Sequence, residues 1–347
     1  MRFTPPLAIT TSHRNIEGFE MRHVTILGFD YAFASAITGM SDLLSSVGVT
    51  WNYIQGKPIH KEFDVCIATL DGKAVKCANG LTIAAHHDIS EIEKTDLLII
   101  PTIAGDISQT LALNQKVLPW LVKMHEQGAD IVSNCTGAFL LAESGLLNGK
   151  KATTHWGFVE EFKRRYPLVD LQAEQMITTD GEIFCSGGGM AWFDMALYLI
   201  ERYCGYDIAK ASSKSYVIDM GRGSQAAYSS IPGKRYHQDG RILALQDWLD
   251  QHFSAALSVL DLSEQAKLSE RTLKRRFKAA TGETPIQYIQ HLRIEAAKKR
   301  LESSQDSVES ITHQVGYENF ASFIRLFKRF TNMTPSAYRA RFARIKT

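Results

Sequence analysis

Cys135 stands where the apolar run ADIVSN (129–134) gives way to Thr136-Gly137-Ala138 and a helix-like stretch. A thiol at such a strand-to-helix turn sits at the positive end of the helix, where free amides and the dipole favour thiolate and lower its pKa. His155 follows twenty residues later, so a nucleophile and a base are both at hand for acyl or amide chemistry. Other apolar runs end on polar or flexible residues: Asp30 after HVTILGF, Thr102 after DLLIIP, Gly187 after GEIFCS. Open α/β sheets bind ligands at the carboxyl ends of their strands. Asp30, Thr102, Cys135, Thr136, His155 and Gly187 are therefore the expected lining of a small-molecule site.

A second chemistry is cationic. In LSEQAKLSERTLKRRFKAATG, from Leu262, Ser263 and Ser269 are each placed to cap a short helix, with a few residues between them to turn the chain. On the second of these helices Leu273, Arg276 and Phe277 share one side, while Arg271, Lys274, Arg275 and Lys278 spread over the other. A cationic face on a short helix suits the DNA major groove, whose phosphate walls attract it and whose guanines accept paired bonds from arginine. The pattern repeats in DSVESITHQVGYENFASFIRLFKRF. Asp306 and Glu309 have capping-box spacing, Val308, Ile311 and Val315 form an inner stripe, and Gly316 supplies a turn. The following helix is expected to bury Phe320, Phe323, Ile324, Phe327 and Phe330 and to expose Asn319, Ala321, Ser322, Arg325, Lys328 and Arg329. Between the units, 287–301 is expected as one helix with Leu292, Ala296 and Ala297 facing inward, a stiff connector between two groove-reading helices.

The elements that must hold these residues differ between the two ends of the chain. From 21 to 205, continuous apolar runs (HVTILGF, DVCIATL, DLLIIPT, ADIVSN, GEIFCSGG) alternate with amphipathic stretches such as ASAITGMSDLLSSVG, VLPWLVKMHEQG and MAWFDMALYLIERYCG. That alternation predicts a mostly parallel sheet covered on both faces. Residues 221–240, rich in Gly and Ser, are expected as a linker, and beyond them Leu, Ala, Lys, Arg, Gln and Glu at helical spacing predict an all-α domain. The expected division is an extension (1–20), an α/β domain (21–220), the linker, and a helical domain (241–347). Residues 241–347 carry 18 lysines and arginines against 11 acids, a net charge of +7, which leaves −5 for the rest. A basic module on a mildly acidic body points to a polyanion partner for the module alone. Five widely spaced cysteines without a CxxC pair argue against disulfides and structural metal, and no metal or cofactor is expected. With no apolar stretch of bilayer length and no basic leader, the chain is expected in the cytoplasm and away from membranes.

Residues 262–339 resemble the DNA-binding domain of the AraC/XylS family. The resemblance is carried most specifically by Gly316-Tyr317, Phe320, Phe323, Phe327, Phe330 and Thr334-Pro335-Ser336, with Tyr338-Arg339. Thr312 stands where alanine is common and Asn332 where glycine is common; asparagine tolerates the left-handed backbone that glycine serves. The resemblance implies that Arg271, Lys274 and Arg275 of the first unit, and Asn319, Ala321, Ser322 and Arg325 of the second, face bases, with Lys328 expected on phosphate.

Residues 22–205 resemble the ThiJ/PfpI branch of the class I glutamine-amidotransferase-like superfamily, with its flavodoxin-like fold, through the Gly28-Phe29-Asp30 turn, the strand from Asp96 to Pro101, the elbow at Cys135 and Ser186-Gly187-Gly188-Gly189. Three departures speak against catalysis: Thr136 follows the cysteine where the proteases place histidine, Ala36 falls where redox-active relatives hold an acid, and Thr102-Ile103 replace a glycine pair that supplies an oxyanion amide. Cys135 and His155 are thus expected as vestigial catalytic residues. Together the two resemblances imply a ligand-responsive transcriptional regulator, an activator, acting on double-stranded promoter DNA as a homodimer. Its effector would be a polar metabolite bearing an amine or amide, and RNA polymerase is a candidate partner. The competing expectation is a cysteine-dependent hydrolase or amidase fused to a DNA-binding tail; a third is a ligand-blind factor whose first domain only dimerises.

Overall fold

Strongly apolar runs with β-branched residues form the strands of one sheet: β1 (Arg22–Gly28), β2 (Phe63–Thr69), β3 (His87–Asp88), β4 (Leu97–Ile100), β5 (Asp130–Asn134), β6 (Ile177–Asp180) and β7 (Ile183–Ser186). The computed structural model describes residues 21–229 and 237–343, so the expected extension (1–20) lies outside the described residues. The strand order is β6-β7-β5-β4-β1-β2-β3, parallel throughout except at the β6–β7 hairpin on the edge. Every residue of β4 is buried, as a strand covered on both faces requires. Helix α1 (Ala34–Ser45) packs on α4 (Ala191–Cys204), while α2 (Leu118–Glu126) packs on α3 (Gly137–Glu143). Gly39 lets α1 come close: a Cβ there would overlap the Trp192 ring on α4. The α/β architecture with a mostly parallel sheet stands as the sequence implies. Of the cysteines, Cys77, Cys135 and Cys185 are buried, while Cys66 and Cys204 are only half-buried.

The chain divides between Arg222 and Gly223 into two compact units. In its described part the expected linker is not free chain. Residues 226–228 make a turn of 3-10 helix whose Ala226 and Ala227 are buried, Ala227 within the core of the second helix-turn-helix unit, and Lys298 donates to the Ser229 carbonyl. Two buried alanines anchor the segment, which its overall composition does not reveal. At the other end Asp239 caps α5 (Gly240–His252) by accepting from the Ile242 amide at 3.3 Å.

The second unit continues with α6 (Val259–Gln265), α7 (Glu270–Thr281), α8 (Pro285–Ser303), α9 (Val308–Gln314), α10 (Phe320–Thr331) and α11 (Pro335–Phe342). It holds two separate cores. One gathers Ile242, Leu245, Leu249, Leu262, Leu273 and Phe277. The other gathers Ile294, Leu301, Ile311, Val315, Phe323 and Phe327. Two expected caps move. Ser258, not Ser263, caps α6, in a capping box with Asp261, and Ser263 is buried one turn inside, donating to the Leu260 carbonyl. Likewise Ser307, not Asp306, caps α9; Asp306 accepts from Gln314 Nε2 instead. Ser269 caps α7 as expected, and Gly316 turns the chain at φ +88°. On α8 the inward residues are Tyr288, Ile289, Ile294, Ala297, Lys298 and Leu301, whereas Leu292 and Ala296 are only half-buried. No helix among the described residues is long and apolar enough to cross a membrane, and no group of three or more metal-ligating side chains occurs among them.

Candidate nucleic-acid interface and buried thiol site

Each unit of the helical domain offers one helix whose core side is fixed and whose other side is free. On α7, Leu273 and Phe277 are buried while Arg271, Lys274, Arg275 and Lys278 are exposed. Lys274 makes a loose pair with Glu270 one turn earlier at 3.4 Å, and no hydrogen bond or ion pair inside the described structure involves Arg275. Arg276, between the two sides, turns back to the start of the domain: its Nε and Nη2 donate to Asp239 at 2.8 and 2.5 Å. That guanidinium holds the Asp239 carboxyl below its usual range. The arginine that closes the structure is thus distinct from those left for a partner.

On α10, Phe323, Phe327 and Thr331 are buried and Ala321, Arg325, Lys328 and Arg329 are exposed. Asn319 is exposed too, but its side-chain oxygen caps the helix by accepting from the Ser322 amide at 2.8 Å, which leaves its amide NH2 and one oxygen lone pair for a base. Ser322 is half-buried and accepts from Arg325 Nη2 at 3.1 Å. Phe320, expected in the core, is instead 42% exposed. It occupies the first helical position, where a side chain leans back past the helix start, off the end of the stripe that Phe323 and Phe327 define. An exposed ring beside Ala321 adds an apolar edge of the kind that meets thymine methyl groups.

The α/β domain places its thiol differently from the sequence expectation. Cys135 keeps the elbow, with φ +56°, but is buried. Its amide donates to the Ser186 carbonyl at 3.1 Å and its carbonyl accepts from Thr154 Oγ1 at 2.9 Å. Thr136 Oγ1 donates to the Ile103 carbonyl at 2.6 Å, and Thr102 Oγ1 to the Asn134 carbonyl at 3.4 Å. Burial pushes the Cys135 thiol up, against smaller opposing hydrogen bonds from the Gly189 and Thr136 amides and the Thr136 and Thr102 side chains. The expected thiolate is therefore overturned. A surface helix terminus stabilises a charge by about 0.3–1 kcal/mol, while full burial raises an acid's pKa by up to about 3–5 units.

His155 Nδ1 accepts from the Gly157 amide at 2.9 Å, capping a short 3-10 turn, and its ring lies beside Trp156 and Phe158. Gly188 packs beneath the ring, where a Cβ would overlap it. Burial lowers the imidazole pKa, which favours the neutral ring, and acceptance at Nδ1 leaves Nε2 as the place for its proton. The hydrogen bonds knit Thr102, Cys135 and Thr136 together, Gly188 holds His155 in place, and the Gly187 amide is used by the Met176 carbonyl at 2.7 Å. Asp30 stands apart. Its Oδ1 accepts from the Lys76 amide at 2.8 Å, and it faces a cavity of about 340 Å³ beside the ends of β1 and β2. Asp71, Lys73, Lys76 and Asn114 share that lining; Thr102, Cys135, Thr136, His155 and Gly187 do not. These partners of Asp30 escaped the sequence reading. The signal available for the lysines was DGKAVK, a charged turn directly after an apolar strand.

Two helix-turn-helix units on a basic module, joined to an α/β domain whose elbow thiol is buried, define a DNA-binding regulator. A family model described as a helix-turn-helix domain matches residues 262–341, and one described as the DJ-1/PfpI family matches 37–202. The chain is 28% identical over 275 residues to the HTH-type transcriptional regulator CdhR of Pseudomonas aeruginosa, covering 79% of this chain and 81% of that one. With the HTH-type transcriptional regulator GlxA of Rhizobium meliloti it shares 24% identity over 327 residues, 93% of this chain and 98% of that one. A crystal structure of an AraC family transcriptional regulator from Pseudomonas putida aligns with a TM-score of 0.48 at 18% identity, over 56% of this chain and 98% of the other. The chain is thus similar in its helical part to helix-turn-helix domains and in its α/β part to the DJ-1/PfpI family, and along most of its length to HTH-type transcriptional regulators.

Proposed function

We propose that this regulator is a transcription activator that reads promoter DNA in the cytoplasm as a homodimer, under the control of a small polar metabolite bound by its DJ-1/PfpI domain. The observation that carries the DNA half is the pairing of α7 and α10, each with a buried apolar side and an exposed side bearing Arg271, Lys274 and Arg275, or Ala321, Arg325 and Lys328. Asn319 and Ser322 contribute through what their capping bonds leave free. For the metabolite, the cavity beside Asp30 offers carboxylates and ammonium groups together, with an amide from Asn114, which suits a ligand carrying an amine or amide and an acid. Thr102, Cys135, Thr136, His155 and Gly187, which lie outside that cavity, are a second candidate ligand site, and RNA polymerase is the expected contact on the promoter.

The test is selection of bound duplexes from a random pool by the full-length protein, without and with candidate metabolites. Enrichment of a motif with two boxes, and a melting temperature raised by an amine-bearing metabolite, are the expected results. A pool that stays random removes the DNA reading. A metabolite panel without any shift removes the effector reading and leaves a ligand-blind factor. Light scattering on the free protein checks the dimer.

A further inference from the structure

Helix α8 belongs to both helix-turn-helix units, yet its apolar residues do not join them. Tyr288 and Ile289 are buried with the first unit, Ile294, Ala297 and Leu301 with the second, and the two cores stay separate. Between them, at the middle of α8, the contacts are rings and polar groups: His291 meets the Phe330 ring edge-to-face at 4.5 Å, and Gln290 accepts from Arg329 at 3.4 Å. Arg293 extends its guanidinium to the loop after α5, where Nε donates to the Phe253 carbonyl and Nη2 to the Ala255 carbonyl, both at 2.7 Å. The same guanidinium lies over the Tyr317 ring of the second unit, 5.0 Å from its centre. Gly316, the turn of the second unit, touches this loop directly: a Cβ there would overlap the Ser254 carbonyl oxygen. The loop 253–255 is therefore held between Arg293 and the α9–α10 turn.

A straight helix fixes the distance between two bodies strung on it, but their rotation about its axis depends on contacts off the axis. Here those contacts include Arg293 with its two carbonyls and the Tyr317 face, beside the His291–Phe330 ring contact and the approach of Gly316 to Ser254. From this geometry we infer that Arg293 is a specificity-positioning residue, which sets the rotational phase between α7 and α10 and hence the number of base pairs allowed between the two DNA boxes. The inference rests on the two-box reading given above. Each added base pair turns the second box by about 36° and moves it about 3.4 Å along the duplex, so a locked protein rejects a changed spacing. Arg293 is engaged by carbonyls and a ring, so its role is phase and not phosphate contact. Lysine, a point charge without a planar fork, replaces it only in part.

The experiment takes the site selected by the full-length protein and inserts or deletes one base pair between its boxes. The wild type is expected to lose at least tenfold in affinity for either change, and Arg293→Ala to lose less than threefold, with Arg293→Lys between them. The slope of log affinity against log salt is expected to stay the same in all three, because no phosphate contact is removed. Tyr317→Leu, which removes the ring face and keeps an apolar side chain, is expected to behave like Arg293→Ala and serves if the alanine variant does not melt cooperatively. A selected site with two boxes and an unchanged spacing penalty in these variants overturns the inference alone. A wild-type site with a single box overturns the two-box reading, and this inference with it.

Discussion

The thiol at the elbow shows two forces of known sign competing at one residue. The amides at the start of α3 favour a thiolate, but that helix has only seven residues, and Cys135 lies under Thr102, Thr136 and Thr154 with almost no solvent contact. Burial wins, and the consequence can be measured. Alkylation of Cys135 by iodoacetamide at pH 8, followed by peptide mass spectrometry, should run at least about tenfold slower than for free cysteine, with a pH dependence lying above the ordinary thiol range. Rapid labelling near neutral pH would show that the dipole dominates after all. On the DNA side, Arg275→Ala is expected to relax base preference at one position and cost about 1–3 kcal/mol there, while Lys328→Ala weakens all duplexes alike. Titration of the selected site and its single-base variants separates the two. The sequence identified these residues by type and spacing. It could not show that Asn319 is engaged in capping or that His155 Nδ1 is taken up by the Gly157 amide, because both depend on local backbone paths.

Among the elements, boundaries were the least legible feature. Ser258, Ser263 and Ser269 are all plausible caps by composition, and the choice fell to which hydroxyl meets an unpaired amide. Ser258 does so with Asp261 in return, while Ser263 is carried into the core. Ser258→Ala is accordingly expected to cost about 1 kcal/mol in the unfolding transition of the helical domain, and Ser269→Ala a similar amount, both read by chemical denaturation. No loss on Ser258→Ala would put the cap elsewhere. Gly316 is more demanding. A left-handed φ of +88° and the Ser254 carbonyl oxygen, which crowds the place where a Cβ would stand, leave no room for a side chain. Gly316→Ala should destabilise that domain by more than about 2 kcal/mol, through strain and displacement together. At Asn332, φ +56° is held by a residue that tolerates it, so Asn332→Gly is expected to be neutral or mildly stabilising. The five inner strands, by contrast, were legible as continuously apolar runs, as burial on both faces demands, whereas the edge strands β3 and β6, short or polar, were not.

For the molecule as a whole, charge separates the two halves more cleanly than shape. The helical third carries the positive excess and the α/β domain the negative one, so affinity for duplex DNA should fall steeply with salt. With about three phosphates neutralised by Lys278, Lys328 and Arg329, log affinity against log salt is expected to have a slope of about −3, measured by fluorescence anisotropy. A slope near zero would mean that the exposed cations face solvent only. Alternation of strand and helix disclosed the first domain's architecture, and the paired cationic helices disclosed the second domain's task. The anchoring of 226–229 and the phase set at Arg293 depend on small and polar contacts between distant segments, which no periodicity records. The central claim is that α7 and α10 enter successive major grooves on one face of a duplex. Methylation interference on the selected site tests it most directly: guanine N7 methylation should block binding in two patches about ten base pairs apart on the same face, and a single patch, or interference confined to adenine N3 in the minor groove, would contradict the account.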